Sequence, residues 1–137
     1  MMKPLRLLYS CREKVDEMPL HIQERNIRDI VILDLYGNLD FNTSPELKVR
    51  LDSHIKFGHQ KIIINLASVD FIDSTGVGSL MYALKLLDST MGDIKIIGLS
   101  PQNQNVFTVL ELDRVFSIMN SETQAISSFL EDDSTLH

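Results

Sequence analysis

The sequence predicts an α/β fold, a single domain with a small, mixed, partly parallel β-sheet and helices packed beside it. Three observations carry that prediction. Strand-like and helix-like patterns alternate along the chain, the order from which parallel layers are built. Two runs, "KIIINLA" and "DIKIIGL", are nearly continuous in apolar, β-branched residues, as strands covered on both faces are. The 137 residues are 44% hydrophobic and 23% charged, a globular composition that fits one core of ordinary size.

Taken in order, "LHIQER" and "DIVILDLYG" read as two strands flanking a short turn, "NIRD". A helix follows in "FNTSPELKVRLDSHIKFG". Thr43 or Ser44 can cap it, Pro45 suits its first turn, and Glu46 completes a capping box with Thr43. Leu47, Leu51 and Ile55 form its buried stripe, and Gly58 sits where a C-terminal glycine belongs. After the strand "KIIINLA" comes "FIDSTGVG" and a helix with the stripe Val77, Leu80, Met81, Ala83, Leu84 and Leu87. Gly92 and Gly98 bound the next strand, and Ser100 with Pro101 opens the next helix. "VFSIM" is a last short strand, and "SETQAISSFLEDD" a final helix with a capping box between Ser121 and Gln124. Residues 1–19 read as an N-terminal arm, 20–131 as the domain, and 132–137 as an acidic tail.

Charge narrows the partners. The net charge is −6 and the 13 basic residues are scattered, which argues against a nucleic-acid or anionic-membrane surface. Cys11 is the single cysteine, so no internal disulfide forms, in keeping with a reducing cytoplasm. No apolar run approaches the ~20 residues that span a bilayer. The opening "MMKPLRLLYSC" has the outline of an export signal with a lipid-accepting cysteine. Arg6 interrupts its apolar core, however, and Tyr9 does not suit a small-residue cleavage site, so a cytoplasmic protein is the expectation.

Chemistry concentrates in "VDFIDSTGVGSLMYALKLL", where a buried strand delivers two adjacent hydroxyls to a helix. A hydrolase elbow needs G-x-S-x-G and a later acid and histidine; Ser74 lacks the preceding glycine, and His137 is the one histidine after it. The phosphate-binding glycine motifs are absent, and Asp70 and Asp73 would repel a phosphate. His21, His54 and His59 lack metal-ligand spacing, and the 6 methionines read as core filler. No enzyme activity, metal or cofactor is expected. Ser74 can be a helix N-cap, with Asp73 competing for that role. A cap alone does not call for Asp-Ser-Thr in a row, nor for two glycines that each lower helix propensity by about 1 kcal/mol. A serine at an exposed helix start is within reach of a kinase, and small neighbours let another surface approach. Thr75, Ser79, Tyr82 and Leu86 share a second helix face, which on spacing alone is equally an ordinary solvent face.

"INLASVDFIDSTGVGSL" resembles the signature of the STAS domain, and specifically that of bacterial anti-sigma factor antagonists. The likeness runs from Leu20 to Leu130, with "LYGNLDFNTSPEL" and "IKIIGLSPQNQNVFTVLELDRVFSI" matching further family segments. It implies a STAS-like fold and a non-catalytic switch. The unmodified antagonist binds an anti-sigma factor, often a serine kinase, and frees a sigma factor. Phosphorylation of the serine after the aspartate, here Ser74, releases it, and a serine phosphatase resets it. Asp40 matches the family's first-loop aspartate near the phosphoacceptor. The partner-binding set implied is Asp40, Asp73, Ser74, Thr75, Gly76, Gly78, Ser79 and Tyr82. Thr75 stands where a second serine or alanine is commoner, leaving a lesser acceptor beside Ser74. The arm is longer than a minimal antagonist needs; an extra strand, a homodimer contact and disorder all remain open for it. The competing reading is a STAS subunit of a membrane transport complex, for lipid or anion, not controlled by phosphorylation.

Overall fold

The computed structural model describes residues 20–135, with side chains through residue 131; the arm expected over 1–19 lies outside the described residues. Among the described residues, five strands form one sheet in the order β1-β2-β3-β4-β5. β1 (His21–Ile27) pairs antiparallel with β2 (Ile30–Leu39). β3 (Lys61–Ile72), β4 (Asp93–Ile97) and β5 (Ser117–Met119) then add in parallel, so the expected mixed, partly parallel sheet is present. The turn between β1 and β2 is tighter than "NIRD": only Arg28 and Asp29 lie outside the strands, and Arg28 takes φ 56°.

Alternation along β2 explains its unbroken apolar run. Val31, Leu33 and Leu35 enter one core with Ile62, Ile64, Ile94 and Ile96, covered by α1 (Ser44–Lys56), α2 (Ser74–Asp88) and α3 (Pro101–Val109). Ile30, Ile32 and Ile63 face the other way and pack on Ala125 and Phe129 of α4 (Glu122–Thr135). Every buried position is therefore claimed by one face or the other. A short 3-10 turn, Leu112–Arg114, precedes β5. At the edge of the second face, Arg25 forks onto Asp34 (2.6 and 3.0 Å) and reaches Glu122 (2.7 Å), while Asn65 donates to Asp34 (2.8 Å).

Several local expectations change. The strand expected as "KIIINLA" continues to Ile72, its last residues pairing with the end of β2 across two register shifts. Asn103 of α3, buried, donates to the Val69 carbonyl and ties that extension to the helix layer. Thr43 is the N-cap of α1 by position, but the capping box with Glu46 does not form. Its hydroxyl instead donates to the Asn38 carbonyl (2.7 Å) and accepts from the Asp40 N–H (3.0 Å). In α2, Met81 is 40% exposed rather than part of the core stripe, and Ser79 is buried, because α1 packs against the side of α2 that carries Ser79. The Ser100 cap forms as expected. At α4 the Ser121 hydroxyl accepts from the Gln124 N–H, but Gln124 reaches back to Asn120 rather than to Ser121. α4 runs through Thr135, so the boundary expected at 131/132 is not a break in the helix.

Candidate functional site

The long β3 has one consequence for the site: it carries the chain straight to Asp73, beside the end of β2. There the backbone N–H of Asp73 donates to the Leu39 carbonyl (3.1 Å), which brings the β2–α1 loop against the start of α2. Asp73 is in extended conformation and is the N-cap of α2. Its Oδ1 accepts from the Gly76 N–H (2.9 Å) and its Oδ2 from the Phe41 N–H (3.1 Å). One carboxylate thus closes a helix end and pins the neighbouring loop.

Asp40 organises that loop from the other side. Its Oδ1 accepts from the backbone N–H groups of Asn42 (2.9 Å) and Thr43 (3.2 Å), an Asx turn. The structure therefore brings Asp40, Asp73 and the first turn of α2 together, and both aspartates are engaged in building the loop.

Because Asp73 caps the helix, Ser74 does not. Of the two capping candidates read from the sequence, the structure selects the aspartate. Ser74 is the first helical residue, exposed, and among the described residues its hydroxyl makes no hydrogen bond. Thr75 beside it is exposed as well.

The two glycines do different work. A Cβ on Gly76 would lie 2.4 Å from the Leu39 carbonyl oxygen and 2.8 Å from Leu39 Cγ, so the close approach of loop and helix needs a glycine. A Cβ on Gly78 would meet nothing within 4 Å. Packing inside the domain does not require that residue.

The remaining predicted residues divide similarly. Ser79 is buried, and its hydroxyl donates to the Gly76 carbonyl (2.6 Å); it supports the turn instead of facing outward as expected. Tyr82 is 37% exposed, with Lys48 Nζ of α1 4.3 Å from its ring centroid and its hydroxyl donating to Asp52 (3.4 Å). Between α1 and α2 lies an open groove of about 730 Å³, bounded by Phe41, Pro45, Lys48, Thr75 and Gly78. Phe41, 71% exposed, and Lys48 were not singled out from the sequence. Both come from outside the "DSTGVG" stretch: the hydrogen bond from the Phe41 N–H to Asp73 brings Phe41 to it, and the packing of α1 on α2 brings Lys48.

His54 is half-buried, pairs with Glu24 (3.2 Å) and touches the edge of His59, an edge-of-core arrangement. No group of three or more His, Cys, Asp or Glu among the described residues is placed to hold a metal ion. No helix among the described residues is long and apolar enough to cross a membrane.

The mixed sheet whose long β3 leads into an Asp-capped helix, with an exposed serine at its first position, places the chain in a known domain class. Residues 21–125 match the STAS domain, and the chain belongs to that family. It is 32% identical over 95 residues to the anti-sigma-B factor antagonist of Staphylococcus epidermidis, covering 69% of this chain and 88% of the relative. It is 25% identical over 111 residues to the anti-sigma F factor antagonist of Paenibacillus polymyxa, covering 80% of this chain and 95% of the relative. Among solved structures, the Bacillus cell fate determinant SpoIIAA in its phosphorylated form superposes with a TM-score of 0.65 at 26% identity, covering 80% of this chain and 99% of that one.

Proposed function

We propose that this protein is an anti-sigma factor antagonist, a non-catalytic cytoplasmic regulator that changes partners when Ser74 is phosphorylated. The observation that carries the reading is the division of labour at the start of α2. Asp73 satisfies the helix end, so the Ser74 hydroxyl is free and exposed. The names of the relatives support the partner class, and the phosphorylated form of the Bacillus protein supports the modification.

The physics of the switch follows from charge. A phosphoryl group adds about −1.5 to −2 charges. At a helix N-terminus the domain itself tolerates them. A partner docked on the same turn must bury that charge unpaired, which costs roughly 2–5 kcal/mol, or one and a half to three and a half decades of affinity. In this reading Thr75, Gly78 and Tyr82 touch the partner, Asp40, Asp73, Gly76 and Ser79 shape the surface, and Thr75 is the lesser acceptor. The partners are an anti-sigma factor with serine-kinase activity and a serine phosphatase.

The test is a comparison of Ser74→Ala and Ser74→Asp proteins as baits in native extract. A kinase-like anti-sigma factor held by the alanine bait and lost with aspartate is the expected result. Equal retention of one membrane transport complex by both baits would overturn it.

A further inference from the structure

We propose that Lys48 makes the two adjacent hydroxyls of α2 unequal, by holding a phosphoryl group placed on Thr75 while leaving one on Ser74 presented outward. The inference rests on the reading of this turn as a phosphoacceptor and deepens it, by explaining how one hydroxyl is the signal and its neighbour is not.

Successive residues of a helix point about 100° apart, so Ser74 and Thr75 cannot face the same way. Thr75 falls on the side of α2 that α1 covers, in line with buried Ser79 and with Tyr82. It lines the groove that Lys48 and Pro45 bound from α1, whereas Ser74 does not. The helix N-terminus acts on both hydroxyls alike and cannot separate them. Lys48 can.

Lys48 is available for that role. Arg25, Arg50, Lys56, Lys61 and Arg114 each have a carboxylate within ion-pair distance. Among the described residues Lys48 has none, and its ammonium rests instead on the Tyr82 ring face at 4.3 Å. Asp52, which accepts from the Tyr82 hydroxyl, is already paired with Lys56 at 3.0 Å. A cation on an exposed ring is weakly held. A phosphoryl group in the same groove offers two charges and three strong acceptors, and the flexible lysine stem lets the ammonium move to it. Phosphorylation of Thr75 is then partly neutralised within the chain, while phosphorylation of Ser74 keeps its full charge toward a partner.

The test places the phosphate chemically, so it does not depend on a kinase. Full-length protein is made with phosphoserine at 74 or phosphothreonine at 75, each with Lys48 intact and with Lys48→Met. The second phosphate pKa is read by phosphorus NMR, and thermal melts confirm folding. Lys48→Met raises the phosphothreonine value by about half a unit to one unit, the size expected for losing one paired cation in a solvated groove. The phosphoserine value moves by less than about a third of that. Lys48→Gln reproduces both results. Equal shifts at the two positions, or none at Thr75, overturn the proposal. A kinase that fails to modify the unphosphorylated chain would count against the reading of the turn and leave this contact standing.

Discussion

Gly76 and Gly78 are two residues apart, and the structure predicts that replacing each by alanine moves stability in opposite directions. At Gly78 the added methyl meets nothing within 4 Å and the backbone is helical, so the change gains the ordinary helix propensity of alanine. That gain is about 1 kcal/mol, or a rise in Tm of about 4 °C for a domain of this size. At Gly76 the methyl falls 2.4 Å from the Leu39 carbonyl oxygen. That carbonyl is not free to retreat, since it accepts from the Asp73 N–H, and Leu39 is in register with Ile72. Overpacking costs roughly 1–3 kcal/mol, and against a pinned backbone carbonyl it falls at the upper end of that range and outweighs the propensity gain. The assay is a thermal melt of both variants beside a titration with the anti-sigma factor partner. Gly78→Ala is expected to melt higher and yet, on the proposed function, to bind at least ten times more weakly, since a partner closing on this turn would meet the added methyl. Unchanged affinity in that stabilised variant would refute the reasoning, since Gly78 would then serve neither the fold nor the interface. A Gly76→Ala protein as stable as the parent would refute the packing argument separately.

Other perturbations test the frame around the site. The Arg25 guanidinium, helped by Asn65, holds the buried Asp34 carboxyl below its ordinary pKa. A depressed carboxylate contributes stability that is complete above about pH 4 and is lost as pH falls through its folded value. Acid denaturation monitored by circular dichroism should therefore show a steep limb below about pH 4, and Asp34→Asn should flatten it. Asn103→Ala removes the donor to the buried Val69 carbonyl and should lower stability by about 1–3 kcal/mol in urea titrations. Asp73→Ala should cost about 1–2 kcal/mol through the lost cap, with Asp73→Asn recovering part of it.

The fold was legible where one physical rule decided the pattern. β-branched runs such as "KIIINLA" gave buried strands because both faces of the sheet are covered, and Ser100-Pro101 gave a helix start because cap and first-turn chemistry agree. Legibility failed where tertiary contact decided. The end of β3 carries exposed Ala67, Ser68, Asp70 and Phe71, and it is a strand because β2 and Asn103 hold it, not because of its own periodicity. Met81 and Ser79 exchanged places because the contact with α1 sets which side of α2 is buried, and apolarity along one helix cannot reveal that. Thr43 and Glu46 have capping-box spacing, yet the loop that Asp40 organises draws the threonine hydroxyl away.

A sequence alone presents "DSTGVG" as one motif at the start of a helix. The geometry separates it into residues that build and residues that present. Asp73 and Gly76 are fixed by contacts to Phe41 and Leu39, so their identities follow from folding alone. Ser74, Thr75 and Gly78 are all exposed on the first turns of α2, and a Cβ at Gly78 would meet nothing within 4 Å. Folding would select against the glycine at 78, since it gives up helix propensity for no internal gain. The cost is intelligible if something outside the domain reads those positions, and the stability and binding of Gly78→Ala measure that cost and its purpose in one protein.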